Sequence, residues 1–227
     1  QAGLKPGSMA SNFGTSASIQ YNTGTEPNIV PGLISSVLFS DDRKRFNMVE
    51  GTINSSNSIF YHLEKVLDIE HHNMHWDRRC SDHLTSGIFV PGFSGLAAPY
   101  WSGGFDDIYW ELDKRDHNAV IRAAMESIGF LVYDIIRSLE SIIKSRPEKL
   151  TASGGGARDS LLQFIADLVM VPVEHSAMRD RTAYGVYRLL NPDQDYSALE
   201  SDKIFYPSKN NVDKKIKQWH AAIASIL

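Results

Sequence analysis

Cysteine is nearly missing from this chain of 227 residues. Cys80 stands alone, so an intramolecular disulfide is excluded and a reducing, cytoplasmic setting is the simpler expectation. Long apolar runs are missing too. No stretch approaches the roughly 18 residues that cross a bilayer, and the start has no signal-peptide pattern, so no membrane partner is expected. Neither sign of charge dominates: 23 Lys and Arg against 27 Asp and Glu give a net charge of −4. That balance offers no basic field to a nucleic-acid backbone, and no face combines arginine with aromatic residues, so nucleic acid is not an expected partner. Internal repeats and low-complexity tracts are absent. So is an initiating methionine: QAGLKPG enters a strand almost at once, and the sequence reads as the second part of something longer.

What is present is a hydrophobic fraction of 42%, enough to bury a substantial core. The organising stretch is 150–173, LTASGGGARDSLLQFIADLVMVPV. A few extended residues break at Gly154-Gly155-Gly156. A helix follows, in which Leu161, Leu162, Ile165, Leu168 and Val169 recur at helical spacing, and Pro172 ends it. Strand, glycine turn, helix, strand is a plan that suits a nucleotide. The turn lets backbone N–H groups approach a ligand, and the helix N-terminus adds a partial positive charge at the same point. The run is neither GxxxxGK[ST] nor GxGxxG, and by itself it reads equally as a tight connection.

In chain order, 9–22 (MASNFGTSASIQYN) alternates around Gly14-Thr15-Ser16 and predicts a hairpin whose bend presents hydroxyls and amides able to hold phosphate oxygens. Residues 33–39 and 45–49 read as further strands, completing a meander, and 54–66 reads as a helix with Ile59, Phe60, Leu63, Val66 and Leu67 inward. In HHNMHW, His71, His72 and His75 lack a fourth ligand at zinc spacing, so the stretch is read as a surface loop and no metal site is expected. The prolines and glycines of 90–101 (VPGFSGLAAPYW) exclude regular structure, while its aromatics demand an ordered, partly buried turn. Residues 105–112 alternate as a strand. From 117 to 144 a long helix carries Ile121, Met125, Ile128, Val132, Ile135, Leu139 and Ile142 on one stripe, a core face rather than a cofactor box. Residues 181–190 form a helix capped by Asp180, 193–209 is loop-like, and 212–226 is a closing amphipathic helix.

Six segments in this order resemble the C-terminal domain of FGGY-family carbohydrate kinases, closest to the glycerol kinase branch. They are Pro6-Gly7 leading to Asn12-Phe13-Gly14-Thr15 and Asn22-Thr23-Gly24; Glu50-Gly51; 90–101; 121–127 (IRAAMES); Gly154-Gly155-Gly156-Ala157 with Ala166-Asp167; and Thr182-Ala183-Tyr184-Gly185. The resemblance covers nearly the whole chain. It implies an α/β fold of the actin-like ATPase, ribonuclease H-like kind, a mixed sheet with helices on both faces. Residues 1–227 would be the nucleotide-binding domain, and a substrate domain would lie outside this chain.

The implied activity is ATP-dependent phosphorylation of a polyol or sugar, with Mg²⁺ on the phosphates. The implied partners are the nucleotide, the small substrate and the protein's own N-terminal domain, and homo-oligomer formation stays open. By resemblance Gly14, Thr15 and Ser16 touch the phosphates, and Gly154 and Gly155 border the adenine and ribose. Asp159 stands where the family usually has asparagine; Asn57 and Tyr61 stand where it has a glycine and a glutamine. Ser153 and Ser102 replace acidic residues, and the link between Leu112 and the long helix and the helix after Asp159 are each one residue short. No catalytic residue is assigned within the chain, because the family's general base, an aspartate, precedes this region. The alternative is a non-catalytic actin-like nucleotide-binding or interaction domain descended from such a kinase.

Overall fold

Two hairpins build one half of the sheet, and a strand–helix–strand crossover builds the other. The computed structural model describes residues 5–40, 44–143, 147–176, 181–191, 203–208 and 212–227. Strands β1 (Met9–Phe13) and β2 (Ala17–Gly24) pair antiparallel, with Phe13 opposite Ala17 at the turn. Strands β3 (Ile34–Ser40) and β4 (Arg45–Ile53) form the second hairpin. It is β4, not β3, that lies against β2, so the expected consecutive meander is corrected to the order β3-β4-β2-β1. The physical reason is burial. On β4 Val49, Gly51 and Ile53 face inward, whereas β3 is largely exposed and suits an edge.

On the far side of β1, β7 (Leu150–Ser153) and β8 (Val173–His175) run parallel to it, joined by α5 (Asp159–Val169), and β9 (Lys203–Phe205) closes the edge antiparallel. The order β4-β2-β1-β7-β8, three antiparallel strands followed by two parallel ones, is the ribonuclease H-like core of the actin-like α/β fold expected from the sequence. Strand β9 corrects the loop-like reading of 193–209. With three residues, of which only Phe205 is buried, it leaves no periodic signal. Of that segment, 193–202 and 209 lie outside the described residues, as does the expected cap Asp180.

Helix α1 (Ser58–Val66) begins four residues later than the periodicity predicts, because 54–57 form a turn bonded to the β1–β2 hairpin. Ile59, Phe60, Leu63 and Leu67 are buried as expected, but Val66 is 48% exposed. The histidine stretch is not a loop. It forms α2 (His71–Met74) and α3 (Trp76–Asp82), anchored by buried Met74, Trp76 and Cys80, with Trp76 stacked 4.1 Å from Phe60. His71 and His72 stay exposed and face Glu64 and Glu70.

The expected strand at 105–112 shrinks to β6 (Ile108–Trp110), paired with β5 (Ile88–Val90). Between them the loop is ordered as its composition demands. Leu96 and Ser102 exchange backbone hydrogen bonds, and Trp101 Nε1 donates to Gly32 O at 2.7 Å.

Helix α4 (His117–Leu139) ends before 144, yet its stripe from Ile121 to Leu139 is buried throughout. Helix α6 (Arg181–Leu190) has its expected bounds, and α7 (Asp213–Ala224) packs Trp219 against Phe130 of α4, ring centroids 5.3 Å apart. Two polar clusters fasten α7. Buried Asp134 accepts from Tyr100 Oη, Trp219 Nε1 and His220 Nε2 at 2.8, 2.6 and 2.8 Å. Buried Glu126 pairs with Arg122 and Lys215. Among the described residues no helix is long and apolar enough to cross a membrane.

Candidate functional site

The parallel pairing of β1 with β7 decides where the site falls. Met9 lies opposite Leu150 and Asn12 opposite Ser153, so both strands end side by side. One continues into Gly14-Thr15-Ser16, the other into Gly154-Gly155-Gly156. Gly14 N donates to Ser16 O at 2.8 Å and closes the first turn. Gly156 N then donates to Phe13 O at 2.8 Å and fastens the glycine turn to the hairpin. The start of α1 joins them: Ser56 N donates to Thr15 O and Asn57 N to Gly14 O, both at 3.0 Å. Ser58 Oγ donates to Thr15 O at 2.9 Å. Three turns remote in sequence are thus one backbone assembly at one end of the sheet.

The glycines of the second turn do different work. Gly154 has φ +102°, and a Cβ there would lie 2.2 Å from Phe13 O, so only glycine fits. Gly155 meets nothing within 4 Å of where a Cβ would be, leaving bare backbone facing open space. Thr15 and Ser16 are exposed beside it. Ser56 is fully buried, and its Oγ has no hydrogen-bond partner among the described residues. Exposed amides, hydroxyls and a helix start are the donor set that oxyanions need.

Next to this assembly a cavity of about 450 Å³ opens between α1, α2–α3 and the start of α5, with Asn57, Phe60, Tyr61, Glu64, Trp76 and Arg158 in its walls. Asp77 of α3 caps α5 from a distance: its Oδ1 accepts from Ser160 N at 3.2 Å and Ser160 Oγ at 2.5 Å. Cys80 lies deeper. Burial pushes its thiol well above the usual range, so it is an inert packing group rather than a nucleophile.

Of the residues singled out from sequence, Gly14, Thr15, Ser16, Gly154 and Gly155 come together at the turn assembly. Asn57 joins it to the cavity, and Tyr61 lines the cavity. Asp159 does not line it. Its carboxylate pairs with Lys203 Nζ of β9 at 2.5 Å, and the neighbouring Arg158 occupies the cavity wall instead. Trp76 and Asp77 were also missed, because they come from α3, where the histidine stretch read as a loop; Glu64 lies on the expected helix α1, but its periodicity does not mark it as facing a cavity.

The family model of the FGGY family of carbohydrate kinases, C-terminal domain, matches residues 9–191. Among curated proteins, the chain is 29% identical over 190 residues to a glycerol kinase of Limosilactobacillus reuteri, covering 82% of this chain and 38% of that protein. It is also 29% identical over 239 residues to a glycerol kinase of Borreliella afzelii, covering 98% and 48%. Among solved structures, the Plasmodium falciparum glycerol kinase with ADP superposes with a TM-score of 0.85 at 25% identity, covering 98% of this chain and 48% of that one. The chain therefore spans half or less of the length of these relatives.

Proposed function

The chain belongs to the FGGY family of carbohydrate kinases, and on that premise we propose that it is the nucleotide-binding lobe of an ATP-dependent kinase acting on a polyol or sugar. The observation that carries this reading is the joining of the Gly14–Ser16 turn, the start of α1 and the glycine turn through backbone hydrogen bonds, with a cavity beside them.

In this proposal the exposed turn amides and the Thr15 and Ser16 hydroxyls hold phosphate oxygens. The bare backbone at Gly155 lets the nucleotide pass close to the sheet end, and its base enters the cavity lined by Asn57 and Tyr61. ATP supplies the phosphoryl group. Mg²⁺, when bound, would neutralise charge on the phosphate oxygens, as a hard cation commonly held by one or two carboxylates plus substrate phosphates. The chain's own contribution is positioning and electrostatic stabilisation, which carries most of phosphoryl transfer. The base that accepts the substrate proton comes from outside this chain, so residues 1–227 alone are inactive.

The experiment is a phosphorylation assay of the complete polypeptide with Mg²⁺ and ATP on glycerol, xylulose, ribulose and gluconate, beside residues 1–227 alone. Turnover by the first and none by the second supports the proposal; turnover by the short chain contradicts it. A second reading, a non-catalytic nucleotide-binding descendant, is favoured by Arg158 in the cavity wall and by the Asp159–Lys203 pair. Nucleotide binding by the complete polypeptide with no turnover on any substrate would select it.

A further inference from the structure

The cavity beside the turn assembly has a charge arrangement that speaks to which base it holds. Two arginines line it. Arg78 faces Asp82 at 3.6 Å, whereas Arg158 is exposed and makes no side-chain hydrogen bond or ion pair among the described residues. Glu64, also in the wall, is largely buried, with only 15% of its side chain exposed, and it uses Oε1 for His71 Nδ1 at 2.7 Å. The other carboxylate in the wall, Asp77, is committed to Ser160. The cavity thus offers one uncommitted donor-only group and one acceptor-only group, on walls flattened by Tyr61 and Trp76.

We infer that Arg158 and Glu64 read the base edge, so that the pocket takes a guanine nucleotide at least as well as an adenine nucleotide. This rests on the nucleotide-binding reading above and names the substrate class within it. A guanidinium donates through a rigid fork and accepts nothing. Guanine presents it with two adjacent acceptors, N7 and O6; adenine presents N7 beside an amino group that is itself a donor. On guanine's opposite side N1–H and the N2 amino group both donate, which suits a carboxylate. Adenine has an acceptor at N1, against which Glu64 would set a second acceptor. Asn57, whose amide both donates and accepts, discriminates neither way.

Calorimetric titration of the complete polypeptide with GDP and with ADP, both with Mg²⁺, tests this, using wild type, Arg158→Asn and Glu64→Gln. The expected result is a GDP affinity equal to or above that for ADP. Arg158→Asn should weaken GDP by about tenfold or more and ADP by less than about threefold, the size of a lost bidentate base contact. Glu64→Gln should act in the same sense. Exposed and without side-chain partners, Arg158 can be replaced without unfolding the chain, and an unchanged Tm checks that. Tighter binding of ADP than GDP by wild type, or equal loss of both in Arg158→Asn, overturns the inference and leaves the nucleotide-binding reading standing. Binding of neither nucleotide by wild type overturns both.

Discussion

Gly154 and Gly155 are neighbours of the same type held for opposite reasons. The first has left-handed backbone and no room for a methyl group; the second has room and faces open space. Gly154→Ala should therefore destabilise the fold by roughly 2–4 kcal/mol through strain and a backbone clash. At this chain length each kcal/mol lowers Tm by about 2–4 °C. Gly155→Ala should leave Tm within a degree or two of wild type. Thermal denaturation of the two variants checks both, and equal losses would show that the turn is held differently.

At this scale the sequence revealed where glycines cluster but not which of them is structural, since that depends on Phe13, 141 positions earlier in the chain. Asp159 was similarly misplaced. Its carboxylate pairs with Lys203 of β9, a partner far along the chain, while its neighbour Arg158 lines the cavity.

Among the elements, α7 depends most on a single polar group. Asp134 links α4 to the 90–101 loop and to Trp219 and His220 of α7. The hydrogen bond from His220 to Asp134 and the carboxylate's charge raise the imidazole above its ordinary pKa of about 6.5, against the opposing pull of burial and Arg137. A raised folded pKa means that the stabilisation is fully present below the unfolded value and is lost as pH rises through the folded one. Tm should thus fall between mildly acidic pH and the alkaline side of His220's titration, and His220→Gln should flatten that part of the profile. An unchanged profile in the variant would show that the pair contributes nothing; the size is modest because His220 is half-exposed.

Long periodic elements were legible: the buried stripe of α4, the α5 pattern and the ordered 90–101 loop all follow from spacing and composition. The short ones were not. In α2, α3 and β9 burial comes from partners distant in sequence, such as Phe60 under Trp76, and too few residues exist to show a period.

At the scale of the molecule, the resemblance and the sheet order agree, and both put the glycine turn beside the β1–β2 hairpin. The sheet order itself was only half readable. Alternation marks strands, but nothing local tells β4 to insert between β3 and β2. The kinase proposal makes this lobe one wall of a cleft: it holds nucleotide, while the base that takes the proton from the substrate's acceptor hydroxyl sits on a residue outside the chain.

The central claim is that nucleotide lies against the bare backbone at Gly155. Calorimetric titration of the complete polypeptide with ADP and Mg²⁺, in wild type and in Gly155→Val, tests it most directly. The account predicts measurable binding by wild type and a loss of about tenfold or more in the variant, because the side chain fills the space the ligand needs while Tm stays unchanged. Equal affinity in the two proteins would contradict it.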